Sequence, residues 1–157
     1  MDRLRVEFSD LGFEDVATFI ASGNVIFTSS GSTAGMERRI EQHLAAELGW
    51  PVPTFVRRAT DVVAIVKFAA SKPFATIPDG HTHMVALTKG AIDPPRKAEI
   101  ARHNTAHDRF HVHGREVHWL IGGKMTSSSI TLPKLAKLIG RNTTRNISSL
   151  TRLADRL

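Results

Sequence analysis

HMVALTKGAIDPPRKAEIARHNTAHDRFHVHGREVHWLI, residues 83–121, is the stretch whose reading decides the fold. His83 to Leu87 is a short, largely apolar run and reads as a strand. Pro94 suits the first turn of a helix, which the pattern carries to about His103. Phe110–Val112 and Val117–Ile121 then read as two strands that pair across the turn His113-Gly114-Arg115. Downstream, Leu132, Leu135, Leu138 and Ile139 recur at helical spacing, with Pro133 near the start and Gly140 after the end. A last helix is expected from about Ile147, capped by Asn146 or Ser148, with Leu150, Leu153 and Leu157 turned inward.

Working upstream, Leu4, Phe8 and Leu11 mark an opening helix that Gly12 can close. Val16–Ile20 and Val25–Thr28 read as a hairpin around Ser22-Gly23-Asn24, a turn-forming trio. Met36, Ile40, Leu44 and Leu48 give a helix stopped by Gly49, Val52–Val56 reads as a strand, and Val62, Ile65, Val66 and Ala69 form one face of a helix starting near Thr60. Pro73, Pro78 and Asp79-Gly80 make the connecting loop, which sets the expected division at residues 1–72 and 73–157. The pattern is αββαβ followed by βαββα with a terminal helix. The fold class is therefore α+β, as two ferredoxin-like (α/β-plait) halves. The first half lacks its opening strand, which in this plan lies inside the sheet; either the true start lies upstream of Met1, or another segment fills the gap.

Length and composition narrow the function classes. A chain of 157 residues buries roughly two thirds of its unfolded surface, so a core without staples is feasible. The absence of cysteine excludes disulfides, zinc–thiolate sites and a thiol nucleophile. The apolar runs, such as Val62–Val66, are too short to span a bilayer, and charges occupy MDRLRVEFSD where a secretory signal needs an apolar run; no membrane association and a cytoplasmic location are the expectations. Seven of the 21 basic residues lie between Gly122 and Leu157 against a single acid, Asp155, while the remaining sequence holds 14 of each sign. The excess charge is C-terminal and favours an anionic partner, although a solvated helix face accounts for it equally simply.

Leu11-Gly12-Phe13-Glu14-Asp15-Val16, Ile20-Ala21-Ser22-Gly23-Asn24-Val25-Ile26-Phe27, Lys72-Pro73-Phe74 and Thr143-Thr144-Arg145-Asn146 together resemble the bacterial domain of unknown function 1697. The resemblance covers nearly the whole chain. It implies a two-part α/β-plait fold and leaves the biochemical activity open. Two departures matter. The family opens with a strand carrying an LRGINVGG-like stretch that this chain does not include, and where the family typically ends TTRNWNT this chain has Ile147-Ser148-Ser149 after Asn146, which removes an aromatic from position 147.

Thr143, Thr144, Arg145 and Asn146 form the candidate ligand-binding site. They precede a helix whose free N–H groups and dipole favour an anion, and Arg145 offers a fork of donors beside two hydroxyls. The structural alternative is a short strand of threonines, an Asn146 cap and an Arg145 ion pair. Secondary candidates are Ser22, Gly23 and Asn24 at the hairpin tip and Lys124 in the Gly122-Gly123-Lys124 loop. Gly31-Ser32-Thr33-Ala34-Gly35 and that same basic loop match no phosphate-loop pattern. The histidines, including the pairs His81/His83, His103/His107 and His111/His113, read as surface side chains, since no HExxH or supporting acid completes a site; no metal and no cofactor are expected. There is no GxSxG elbow and no telling carboxylate pair. With no Tyr and two Trp, base stacking is poorly served, which argues against sequence-specific nucleic-acid recognition. Three classes stay open: binding of a small anionic or phosphorylated ligand, an enzyme acting on a phosphorylated metabolite, and a protein-interaction module using an open sheet edge. The sequence sets no oligomeric state.

Overall fold

The computed structural model describes residues 2–20, 23–71, 74 and 77–157. The chain divides into two compact units, Met1–Val56 and Arg57–Leu157. The helix that the sequence reading leaves in the first half thus groups with the second, whereas that reading draws its line after residue 72.

In the first unit, helix α1 (Asp2–Asp10) leads into strand β1 (Glu14–Phe19), strand β2 (Asn24–Thr28) and helix α2 (Thr33–Leu48). The two strands pair antiparallel, with Phe19 opposite Asn24 and a register shift between Glu14 and Ala17. Apolar residues one helical turn apart on α2, namely Met36, Ile40 and Leu44, pack on Phe8, Phe13 and Val56. Phe27 stacks on Phe13 at 4.4 Å between centroids. Ser32 caps α2 by accepting from Gly35 N–H at 3.1 Å. Gly49 ends it in the left-handed region at φ 81°, donating its N–H to Ala45. A Cβ is strained at that φ, so Gly49→Ala should destabilise the chain by about 1 kcal/mol in urea unfolding; an unchanged midpoint would refute the assignment.

Residues 52–56 are not the expected strand. They pair with no strand among the described residues, and two of their N–H groups meet side chains of α2: Thr54 N donates to Glu41 Oε1 and Val56 N to Glu37 Oε1, both at 2.8 Å. Glu37 is buried and is satisfied in this way.

The second unit holds α3 (Ala59–Ala69), β3 (Thr82–Thr88), α4 (Pro94–Ala101), β4 (Asp108–His113), β5 (Glu116–Ile121), a 3₁₀ turn at Met125–Ser127, α5 (Leu132–Ile139), β6 (Asn142–Asn146) and α6 (Ile147–Ala154). From β3 onward the order is β-α-β-β-α-β, and the antiparallel sheet runs β4-β5-β3-β6, with the first strand of the set between the third and the fourth. Alternation then gives the sheet two covered faces. Ala86, Phe110, Val117, Trp119 and Ile121 meet Ile100 of α4 and Leu135 and Ile139 of α5. Val85 and Leu87 meet Ile65 of α3 and Leu150 of α6 on the other face. Two expected core positions are exposed: Leu132, the first residue of α5, to 46%, and Leu157, three residues past the end of α6, to 48%.

Candidate functional site

Gly140, at φ 82°, ends α5 and turns the chain back along the sheet. The two β-branched threonines that follow suit an extended backbone. Residues 142–146 accordingly form an edge strand, which pairs with β3 through Val85 opposite Arg145 and Ala86 opposite Thr144. Among the described residues β6 has this one neighbour. The α6 helix begins immediately after it, capped by the Asn146 side chain, which accepts from Ser148 N at 2.9 Å and Ser148 Oγ at 2.8 Å.

The register splits the four predicted residues between two faces. Thr143 and Arg145 point to the α3/α6 side, while Thr144 and Asn146 share the α4/α5 side with Asn142. Arg145 folds back along its own strand, Nη1 donating to Thr143 Oγ1 at 2.7 Å and to the Thr144 carbonyl at 3.0 Å. Burial lowers its pKa from the ordinary arginine value, yet a guanidinium stays charged at neutral pH. On the other face Thr144 Oγ1 donates to Asn142 Oδ1 at 3.1 Å, and Asn142 Nδ2 to the Gly140 carbonyl at 2.9 Å. Between β6 and the start of α5 lies an open cleft of about 470 Å³, lined by Leu132, Pro133, Ala136, Asn142, Thr143, Thr144 and Arg145. Three of the predicted residues therefore reach one cleft, and Asn146 is occupied as a cap.

The secondary candidates lie elsewhere. Gly23 is in the turn before β2, Asn24 opens that strand, and Ser22 lies outside the described residues. Lys124 is exposed beside the 3₁₀ turn, where its carbonyl accepts from Ser127 N.

Two histidines are not at the surface. His83 and His118 are buried on the α3-facing side of the sheet, where His83 Nε2 and His118 Nδ1 approach to 3.0 Å. Phe74 packs against both rings and against His111, and Phe68 stacks flat on His113 at 4.2 Å. Burial, reinforced by His111, lowers His83 to about 4. Burial, reinforced by His83, His113 and His111, lowers His118 to about 3. The reason for the discrepancy is topological: the two imidazoles lie on adjacent strands under a phenylalanine lid, an arrangement without a local spacing signal. Among the described residues no three His, Cys, Asp or Glu side chains are grouped to hold a metal ion. No helix among them is long and apolar enough to cross a membrane.

A family model described as a protein of unknown function (DUF1697) matches residues 1–118. The match ends before α5 and β6. Among solved structures, the conserved bacterial protein SP0830 from Streptococcus pneumoniae is similar over 100% of this chain and 88% of its own, at 21% identity and a TM-score of 0.71. That likeness concerns the fold. No curated protein matches the chain.

Proposed function

We propose that this chain, which belongs to the DUF1697 family of proteins of unknown function, binds a small anionic or phosphorylated ligand in the cleft between α5 and β6. One observation carries the reading: a cation laid along its own strand, on the Thr143 hydroxyl and the Thr144 carbonyl, stands in the wall of an open cleft. A pre-positioned guanidinium loses little side-chain entropy when an anion arrives, and its hydrogen bonds to a charged oxygen are short and strong. The apolar wall of Leu132, Pro133 and Ala136 suits a ligand whose charged group is attached to a carbon skeleton. Lys134, Lys137 and Arg141 are exposed nearby in the chain and raise the local concentration of anions without selecting among them.

Isothermal titration with pyrophosphate tests the reading. Arg145→Ala should weaken binding by about 1.5–3 kcal/mol, the scale of a hydrogen bond to a charged group. Arg152→Ala, on the exposed side of α6, should mainly reduce the salt dependence. Equal affinity for the wild type and the Arg145 variant would remove the anion site from this cleft.

A further inference from the structure

We infer that the ligand of this cleft is carried on an extended peptide, which adds to β6 as a further strand with an acidic side chain against Arg145. This rests on the anion reading above and names the partner for the same site. Among the described residues β6 pairs only with β3, and a strand at a sheet edge presents a row of main-chain groups to a further strand. Natural edges are blunted by proline, lysine or bulges. The sequence Asn-Thr-Thr-Arg-Asn has no proline and no lysine, and its pairing with β3 runs without a shift from Asn142 to Asn146. What protects it is Arg145, whose guanidinium lies along the edge on the Thr144 carbonyl. The residue that guards the edge is thus also the one that an acid would draw.

A groove runs beside this edge. Five residues of extended chain span roughly 17 Å. Along that length the cleft offers Leu132, Pro133 and Ala136 as an apolar wall on the α4/α5 side. Leu132 is 46% exposed although it is a large apolar side chain. An added strand alternates its side chains, so residues beside Thr144 would fall onto this wall, and residues beside Thr143 and Arg145 would face the other way. Edge pairing supplies affinity and the two side-chain rows supply selection. Charge complementarity fixes the sign: from Gly122 onward the chain has seven basic residues and one acid. The partner's pattern is accordingly polar-apolar-acidic-apolar-polar.

The test uses the full chain and the fluorescein-labelled peptide Thr-Val-Glu-Val-Thr, followed by fluorescence anisotropy. Four probes are compared: the parent, its Glu→Gln form, and two isomers N-methylated on alternate amides. Strand addition engages one set of alternate amides, so one isomer should lose binding at least tenfold while the other keeps it. The parent should bind about tenfold tighter than the Gln peptide. That ratio should fall to about one in Arg145→Gln, which retains donors for Thr143 and Thr144 but removes the charge. If both N-methyl isomers bind like the parent, the peptide is held by its acid alone and strand addition is overturned. If no peptide binds while pyrophosphate still binds in an Arg145-dependent way, strand addition fails and the anion site stands. If neither probe binds, both readings fall.

Discussion

Replacing Glu116 by alanine is expected to destabilise the second unit by about 3–5 kcal/mol, the cost of leaving a buried charge without its counter-ion. Arg57 is the charge in question. Its side chain is 4% exposed, and Nε donates to Glu116 Oε1 at 2.9 Å. Nη2 donates to the carbonyls of Thr88 at 2.6 Å and Arg115 at 3.4 Å, so a single guanidinium ties the end of β3 to the β4–β5 turn. Those neutral acceptors survive in Glu116→Ala, but they do not replace the carboxylate's charge. Glu116→Gln keeps an acceptor and should fall between the wild type and the alanine variant. Coupling is the sharper signature: in a double-mutant cycle Arg57→Ala and Glu116→Ala should cost much less together than the sum of the two, because the second removal deletes a group whose charge contact the first has already broken. A Glu116→Ala loss below about 1 kcal/mol would place this pair among the weak surface bridges.

The local elements were legible because their signals are local. Met36, Ile40, Leu44 and Leu48, followed by Gly49, carry both the face and the stop of α2, and the structure has both. The turn at Gly114 and the register of β4 with β5 follow the same logic. Residues 52–56 read as a strand because a short, largely apolar run between two helices carries no information about the partner of its N–H groups. Here the N–H acceptors are carboxylates 13 and 19 residues earlier, on a helix. Leu132 shows a similar limit. Helical period assigns it to the inner stripe, but period says nothing of which turns of a helix are covered.

At the candidate site, Thr143, Thr144 and Arg145 stood out as a polar run before a cap, and the cap itself is present. That the run is an edge strand, with its residues divided between two faces, depends on pairing with β3 nearly sixty residues earlier. The cleft in turn depends on where α5 lies, which no spacing within the run encodes. The His83–His118 contact is the extreme case, made by two residues 35 apart; each belongs to an unremarkable, largely apolar strand, and the partners appear only when β3 and β5 are set side by side.

That contact yields the second large effect, a loss of stability in mild acid. Among the described residues no hydrogen-bond partner reaches His83 Nδ1 or His118 Nε2, and both residues are almost wholly buried. Burial pushes the two imidazoles down to about 4 and about 3, whereas in an unfolded chain each titrates near 6.5. Below pH 6.5 the unfolded state therefore takes up protons that the folded state refuses, and protonation favours unfolding. The stability associated with neutral burial is fully present above pH 6.5 and is lost as the pH falls from there toward 4. Each imidazole contributes a slope of up to about 1.4 kcal/mol per pH unit within that window, and in its upper part, above about pH 5.5, ordinary carboxylates stay ionised. Trp119 is fully buried in the same sheet and reports the second unit, and Trp50→Phe removes the other tryptophan's signal. Urea midpoints followed at pH 7, 6 and 5 should drop steadily. His118→Phe keeps a ring against Phe74 and removes one of the two titrating groups, so it should reduce the slope by about half. Midpoints that stay level from pH 7 to pH 5 would show that the imidazoles take up protons in the folded chain as readily as in the unfolded one.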